Sequence, residues 1–252
     1  MQEVVKMVLE AIYEESLNTL RMVSVPKRSC HTALKQIEKS FCGVKWYIEG
    51  DIKGFFDNIN HDVMIGILEE RINDVRFIRL IRKFLNAGYI EDWKYFHTYN
   101  GTPQGGIISP VLANIYLDKL DRFMEDIIKR DTMGKYRRQN PEYSKLRYQL
   151  NKAISAHDIK EIKRLRKELR STSSVDNFDS SFRRVHYVRY ADDFLIGTMS
   201  SKAYAEQLKQ EIKQFLEEEL HLRLSEEKTV ITREKRESIL SWLSHKQEVS
   251  LT

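Results

Sequence analysis

Residues 184–199 read Arg184-Val185-His186-Tyr187-Val188-Arg189-Tyr190-Ala191-Asp192-Asp193-Phe194-Leu195-Ile196-Gly197-Thr198-Met199. Val185, Tyr187 and Arg189, then Phe194 and Ile196, alternate around a short polar centre, which predicts a β-hairpin with both aspartates at its turn. An isolated Asp-Asp pair is ordinarily a solvated turn. Between two apolar strands, however, adjacent carboxylates repel each other, and a bound divalent cation relieves that cost. A third carboxylate on another strand would complete a cation site. Upstream, the run from Val44 to Ile52 is short and rich in β-branched and aromatic residues, so it predicts a strand ending near Asp51. Mg²⁺ takes oxygen ligands and is held by a few carboxylates plus substrate phosphates. In two-metal phosphoryl transfer one ion activates the attacking hydroxyl and the other stabilises the leaving group.

The rest of the chain supplies helices around these strands. Apolar residues at helical spacing open the sequence, and a second helix is expected over residues 29–41, after Pro26, with Ser29 as its N-cap. Asp62 is expected to cap the helix beginning at Val63, with Asp57 ordering the turn before it. A further helix should run from Val75 to Gly88, a hairpin-like strand pair from Glu91 to Gly106, and a long helix from Pro110 to about Lys129. After the Asp-Asp hairpin, residues 205–222 read as an amphipathic helix and 223–232 as the approach to a last strand.

Residues 131–182 differ in composition, being polar and basic with few large apolar side chains, and read as an insertion of two helices joined near residues 155–158. Its Arg137, Arg138, Arg147, Lys163, Arg164, Arg166, Lys167 and Arg170 should attract phosphates, and Tyr136, Tyr143 and Tyr148 could stack on unpaired bases. A merely solvated helical hairpin is the alternative. The expected organisation is therefore 1–130, 131–182 and 183–252. Across 252 residues, 42 Lys plus Arg exceed 37 Asp plus Glu, which suits a polyanionic partner. No apolar run is long enough to span a bilayer, and Cys30 and Cys42 lack metal-ligand spacing, so no membrane, zinc or disulfide role is expected.

Five stretches, in order, resemble the reverse transcriptases encoded by group II introns. They are residues 28–34, the stretch Gly50-Asp51-Ile52-Lys53-Gly54-Phe55-Phe56-Asp57-Asn58-Ile59, Thr102-Pro103-Gln104-Gly105-Gly106 with Ser109-Pro110, Tyr190-Ala191-Asp192-Asp193, and residues 224–229. The similarity covers most of residues 27–232. It implies an α+β fold: a right-hand polymerase palm with flanking helices, part of the fingers and a basic helical insertion.

The resemblance implies RNA-directed DNA synthesis. Asp51, Asp192, Asp193 and the carbonyl of Ile52 would hold two Mg²⁺ ions, with Mn²⁺ as a substitute. Phe56 would sit beneath the incoming sugar and exclude a 2′-hydroxyl, unless it is a plain core residue. Gln104 and Gly105 would lie near the nucleotide, unless they only form a turn. Lys228 would protonate or neutralise departing pyrophosphate, unless it is an ordinary surface lysine. Asn114 would order nucleotide or template.

The expected partners are group II intron RNA, an RNA template, a DNA primer, dNTPs and a second copy of the chain, in the bacterial cytoplasm on intron RNA or nucleoid DNA. Residues 20–26 depart from the family's SHGFRP-like stretch, and the family's thumb helices and maturase segment do not follow the last strand motif. A domain cut at both ends, polymerising weakly or not at all unaided, is the corresponding expectation. A splicing cofactor that chiefly binds intron RNA is the alternative function, and a retron-type or diversity-generating enzyme is a third reading.

Overall fold

The structure is a computed structural model and describes residues 1–13, 37, 40–41, 43–87, 89–91, 94–96, 101, 106–176, 179 and 181–233. The helix expected over 29–41, apart from residues 37 and 40–41, and the segment 102–105, which holds Gln104 and Gly105, lie outside them. So do both cysteines.

Four antiparallel strands form the central sheet: β1 (Trp46–Asp51), β4 (Val185–Tyr190), β5 (Asp193–Thr198) and β6 (Val230–Arg233), in the order β4-β5-β1-β6. A separate pair, β2 (Tyr89–Glu91) and β3 (Lys94–Phe96), forms its own hairpin. Strand side chains alternate between faces, and the register assigns them. One face carries Ile48, Gly50 and Ile52 of β1 and its extension, Phe194 and Ile196 of β5, and Val185, Tyr187 and Arg189 of β4. The other carries Tyr47, Glu49 and Asp51, then Asp193 and Leu195, then Val188 and Tyr190.

The first face is covered by helices. The helix α1 (Gln2–Tyr13) buries Val5, Leu9 and Tyr13, and the short α2 (Phe55–Asn58) buries Phe55. Next, α3 (His61–Glu69) buries Met64, Ile65, Ile67 and Leu68, and α4 (Val75–Asn86) buries Ile78, Ile81 and Leu85. The long α5 (Ser109–Asp131) and α8 (Lys202–Glu219) complete the layer, with Phe123 of α5 stacked on Phe215 of α8 at 4.1 Å. Tyr116 donates its hydroxyl to the Leu220 carbonyl at 2.6 Å, and burial pushes that phenol up to about 12. Together these side chains make one large core with Ile48, Ile52, Phe194 and Ile196. Among the described residues, the second face is covered at its far end, where Ile37, Phe41 and Val44 pack on Tyr47, Val188 and Leu195.

Helix starts follow local hydrogen bonding. The side chain of Asn60, rather than Asp62, caps α3 by accepting from the backbone N–H groups of Asp62 and Val63. Asp74 does the same for α4, and Ser201 for α8. The sequence pattern placed Asp62 at the cap because it directly precedes the apolar run. His61 is itself buried inside the first turn, which moves the boundary back.

Residues Arg130–Arg184 form a second compact unit. Within it, α6 (Pro141–Ser155) and α7 (Ile159–Ser171) make a helical hairpin whose apolar contacts include the buried Ala153 and Leu165. Asn140 and Asp158 cap the two helices. The chain entering and leaving the hairpin is clasped: Met133 pairs with Arg183, and Gln139 with Val175. Arg184 donates to the carbonyls of Met133 and Gly134, while its guanidinium lies over the Phe182 ring at 4.2 Å. The Asp179 carboxylate accepts from the Ser181 hydroxyl and the Arg138 N–H, which holds it down at about 2. No helix among the described residues is long and apolar enough to cross a membrane.

Candidate active site

The hairpin of β4 and β5 turns on Ala191 and Asp192, with Tyr190 opposite Asp193. Only Asp192 therefore lies in the loop; Asp193 is the first residue of β5. A two-residue hairpin loop needs a left-handed residue to match the twist of its strands, and Ala191 supplies it at φ 55°. A non-glycine residue held there costs about 1–2 kcal/mol, so the turn persists because its surroundings enforce it.

Across the sheet Asp51 is the register partner of Asp193. Opposed residues of antiparallel strands have Cα atoms about 4.5–5.5 Å apart, so two carboxylates leave one face side by side with Asp192 adjoining. Close approach of β1 and β5 depends on Gly50, whose missing side chain is the space taken by the Phe194 ring. Asp193 is buried and Asp51 partly so.

The position of Ile52 follows from backbone alternation. Ser225 N–H donates to the Asp51 carbonyl at 2.8 Å, and Lys53 N–H donates to the Arg223 carbonyl at 2.9 Å. Both bonds point towards the 223–225 segment. The amide and carbonyl of Ile52, between them, consequently point the opposite way, towards the Asp192-Asp193 end of the hairpin.

Lys228 belongs to the same place. Its ammonium lies 3.4 Å from one oxygen of the Asp51 carboxylate and 3.5 Å from the other. The loop that carries it is tied down, since Thr229 N–H donates to the Ser225 carbonyl and Lys209 donates to the Thr229 carbonyl, both at 2.8 Å. Lys228 itself is largely exposed; such an ion pair is worth at most about 1 kcal/mol and exchanges readily.

Phe56 sits on α2, directly after the metal-strand candidate Asp51 and its extension. Of the two adjacent rings, Phe55 is the one buried in the core; Phe56 is half-buried, edge-on to it at 5.2 Å. Gly54 enters this turn at φ 54°, and the Asn58 amide fastens it by donating to the carbonyls of Lys53 and Gly54. The Asp57 backbone N–H closes the same turn on the Gly54 carbonyl at 3.1 Å.

Gly101 leads into the segment holding Gln104. It packs its bare Cα on the Phe56–Asp57 backbone at φ 88°, donates to the Ile59 carbonyl at 2.8 Å, and accepts from His61 at 2.7 Å. Asn114 is buried on α5.

Two acidic features were not legible in the sequence as site components. Glu49 shares the face of Asp51 and Asp193; burial pushes its carboxyl above the ordinary range, against the Thr232 hydroxyl at 3.4 Å. Asp121 of α5 lies on the opposite face, bound to Arg189. Strand alternation could have found Glu49, whereas Asp121 meets β4 only through the tertiary fold.

By residue type the donor set suits a divalent cation: Asp51, Asp192 and Asp193 lie at one end of the sheet, and carboxylates and the Ile52 carbonyl are hard oxygen ligands. Among the described residues no three acidic, imidazole or thiolate side chains are gathered closely enough to form a metal site. The Lys228 ammonium provides the positive charge beside Asp51.

The basic residues of the insertion fall into sets. Lys163, Arg166, Lys167 and Arg170 recur at i, i+3, i+4 and i+7 and so form one exposed stripe on α7, turned away from Leu165. Arg164 lies off this stripe, bonded to Glu161 and 3.8 Å from Glu168. Arg138 and Arg147 are exposed, and Arg137 lies over the Phe182 ring at 5.3 Å.

Residues 1–248 match the family model described as reverse transcriptase (RNA-dependent DNA polymerase). The chain is 41% identical over 238 residues to the group II intron-encoded protein LtrA of Lactococcus lactis subsp. cremoris, covering 92% of this chain and 40% of that protein. It is 39% identical over 233 residues to a putative COX1/OXI3 intron 1 protein of Saccharomyces cerevisiae, covering 92% of this chain and 27% of that one. The chain thus spans less than half the length of these relatives.

Among solved structures, apo telomerase of Candida tropicalis, truncated of its C-terminal domain, superposes with a TM-score of 0.51 at 13% identity, over 92% of this chain and 40% of that one. This likeness shows an α+β, palm-like polymerase fold. With its three aspartates at one end of that sheet, the chain belongs to the reverse transcriptase (RNA-dependent DNA polymerase) family, whose members depend in general on divalent metal.

Proposed function

We propose that this chain forms the polymerase site of a group II intron-encoded reverse transcriptase, copying RNA into DNA while its protein also holds intron RNA. The observation that carries the reading is the register of Asp51 opposite Asp193, with Asp192 on the adjoining turn. Two Mg²⁺ ions, or Mn²⁺ in their place, would be held there by Asp51, Asp192, Asp193 and the Ile52 carbonyl, supplying charge neutralisation and a more acidic primer hydroxyl.

In the reaction, the primer 3′-oxygen attacks the α-phosphorus of a dNTP and the bond to pyrophosphate breaks. The carboxylates orient the reacting groups. Lys228, loosely held at Asp51, turns towards the pyrophosphate and neutralises or protonates it. The half-buried Phe56 ring lies under the incoming sugar and excludes a 2′-hydroxyl. Gln104 and Gly105 are assigned to the nucleotide by the family motif alone.

Primer extension on poly-rA with an oligo-dT primer tests this reading. Extension is expected with dTTP and Mg²⁺, with UTP used at least about tenfold less well, a discrimination of ~1.4 kcal/mol. Phe56→Ala should narrow that gap. Equal use of UTP by Phe56→Ala and the unaltered protein would return Phe56 to the core. A second reading, an intron-RNA-binding splicing cofactor, is favoured by the basic stripe on α7, and the two activities are compatible in one protein.

A further inference from the structure

The largest fully buried side chain among the described residues is that of an arginine, Arg189 on β4. Its guanidinium is committed on every edge. Nε donates to one Asp121 carboxylate oxygen at 2.8 Å and Nη2 to the other at 2.6 Å, a bidentate fork. Nη1 donates to the carbonyl of Ala191 at 2.7 Å. The first Asp121 oxygen also accepts the Tyr187 hydroxyl at 2.8 Å. Burial alone would drive the guanidinium towards neutrality, but the Asp121 charge beside it wins and keeps it firmly cationic. For Tyr187, burial and then the Asp121 charge hold the phenol well above its ordinary range.

The address of this network matters. Arg189 and Tyr187 lie on the helix-covered face of the sheet, whereas Asp51 and Asp193 leave the opposite face. Arg189 therefore cannot touch substrate. It reaches the site through the backbone, at the one residue of the hairpin loop that is left-handed without being glycine. Asp121 sits near the middle of α5, a helix of 23 residues and a rigid support. A fixed helix is thus linked through a planar, bidentate cation to the carbonyl immediately preceding Asp192.

We propose that Arg189, held by Asp121, is a positioning residue that locks the Ala191 turn and so sets the direction of the Asp192 and Asp193 carboxylates. This rests on the reading of those aspartates as the metal-binding site. Lysine cannot replace Arg189, because a point ammonium cannot make the fork to Asp121 and the bond to Ala191 together.

The test uses four variants of the protein: Asp121→Leu/Arg189→Met, Arg189→Lys, Arg189→Lys/Ala191→Gly, and Asp192→Asn/Asp193→Asn as the control. Replacing both partners of a buried ion pair by apolar residues of similar volume is often tolerated in folding. The first variant should therefore keep a cooperative thermal transition. It should bind Mn²⁺, followed by its electron paramagnetic resonance signal, about 10–100-fold more weakly. Its kcat for dTTP should fall about 100-fold, with KM little changed. Arg189→Lys should show the same losses, and Ala191→Gly should recover part of them, because glycine takes the left-handed turn without being held.

A folded Asp121→Leu/Arg189→Met protein with unaltered Mn²⁺ binding and kcat would overturn the proposal and leave the pair as core filling. If that variant does not fold, absence of any rescue by Ala191→Gly overturns it instead. Full activity in the Asp192→Asn/Asp193→Asn control would overturn the site reading itself, a result separable from both.

Discussion

At the scale of single residues, the site depends on one absent methyl group. Gly50 faces Phe194 across the β1–β5 pair, and a Cβ at Gly50 would overlap three carbons of that ring. Overpacking of this kind costs about 1–3 kcal/mol. Gly50→Ala should therefore lower the thermal midpoint by roughly 2–12 °C, at ~2–4 °C per kcal/mol for a domain of this size, as read by circular dichroism. An unchanged midpoint would mean that the ring yields without cost. Asp51, Asp192 and Asp193 were legible in the sequence because strand patterns and the family resemblance both point to them. The need for Gly50 was not, since Phe194 lies far away in the chain and meets it only through pairing. Arg189 escaped notice for a similar reason: alternation puts it on the core face, but its partner Asp121 comes from a helix whose packing no local pattern reveals.

Among the elements, helices were read well and their ends less so. The periodicity of residues 75–86, 109–131 and 202–219 reflects burial of one face, which the sequence displays directly. Caps depend on which side chain folds back on the backbone, and Asn60 displaced Asp62 for that reason. In the insertion, the α7 stripe makes a separable prediction. Changing Lys163, Arg166, Lys167 and Arg170 together to glutamine should weaken RNA binding. It should also flatten the plot of log affinity against log salt by about 0.7 for each phosphate of single-stranded RNA that is no longer neutralised. Arg164→Gln, already engaged by Glu161, should change that slope least. An unchanged slope in the fourfold variant would mean that the stripe neutralises no phosphate.

The clasp at the base of the hairpin should respond to acid. Asp179 has its pKa lowered from 3.8 to about 2, so the carboxylate's contribution is fully present above pH ~4 and is lost as pH falls towards 2. Hydrogen exchange at the Ser181 amide should accordingly lose protection over that window, relative to exchange in the α7 backbone. In Asp179→Ala, which removes the oxygen that accepts the Ser181 N–H at 2.9 Å, exchange at that amide should be fast throughout. Protection that is flat with pH in the unaltered protein would contradict the assignment.

At the scale of the whole molecule, the sheet order β4-β5-β1-β6 brings together residues from three distant parts of the sequence. Asp51 comes from the middle of the sheet, Asp192 and Asp193 from its hairpin, and Lys228 from the loop before its edge strand. The helix-covered face supplies stability and holds Arg189, while the other face carries Asp51 and Asp193 at the end nearest the turn. That division explains why strands and helices were recognisable one by one while the site geometry was not: pairing register is a long-range property. The central claim is that the aspartates perform polymerisation and are not needed for RNA binding. It is tested most directly by measuring Mg²⁺-dependent primer extension and RNA affinity side by side for the unaltered protein and Asp192→Asn/Asp193→Asn. The account predicts that extension disappears while RNA affinity stays within about twofold, ~0.4 kcal/mol; retained extension, or equal loss of both activities, would contradict it.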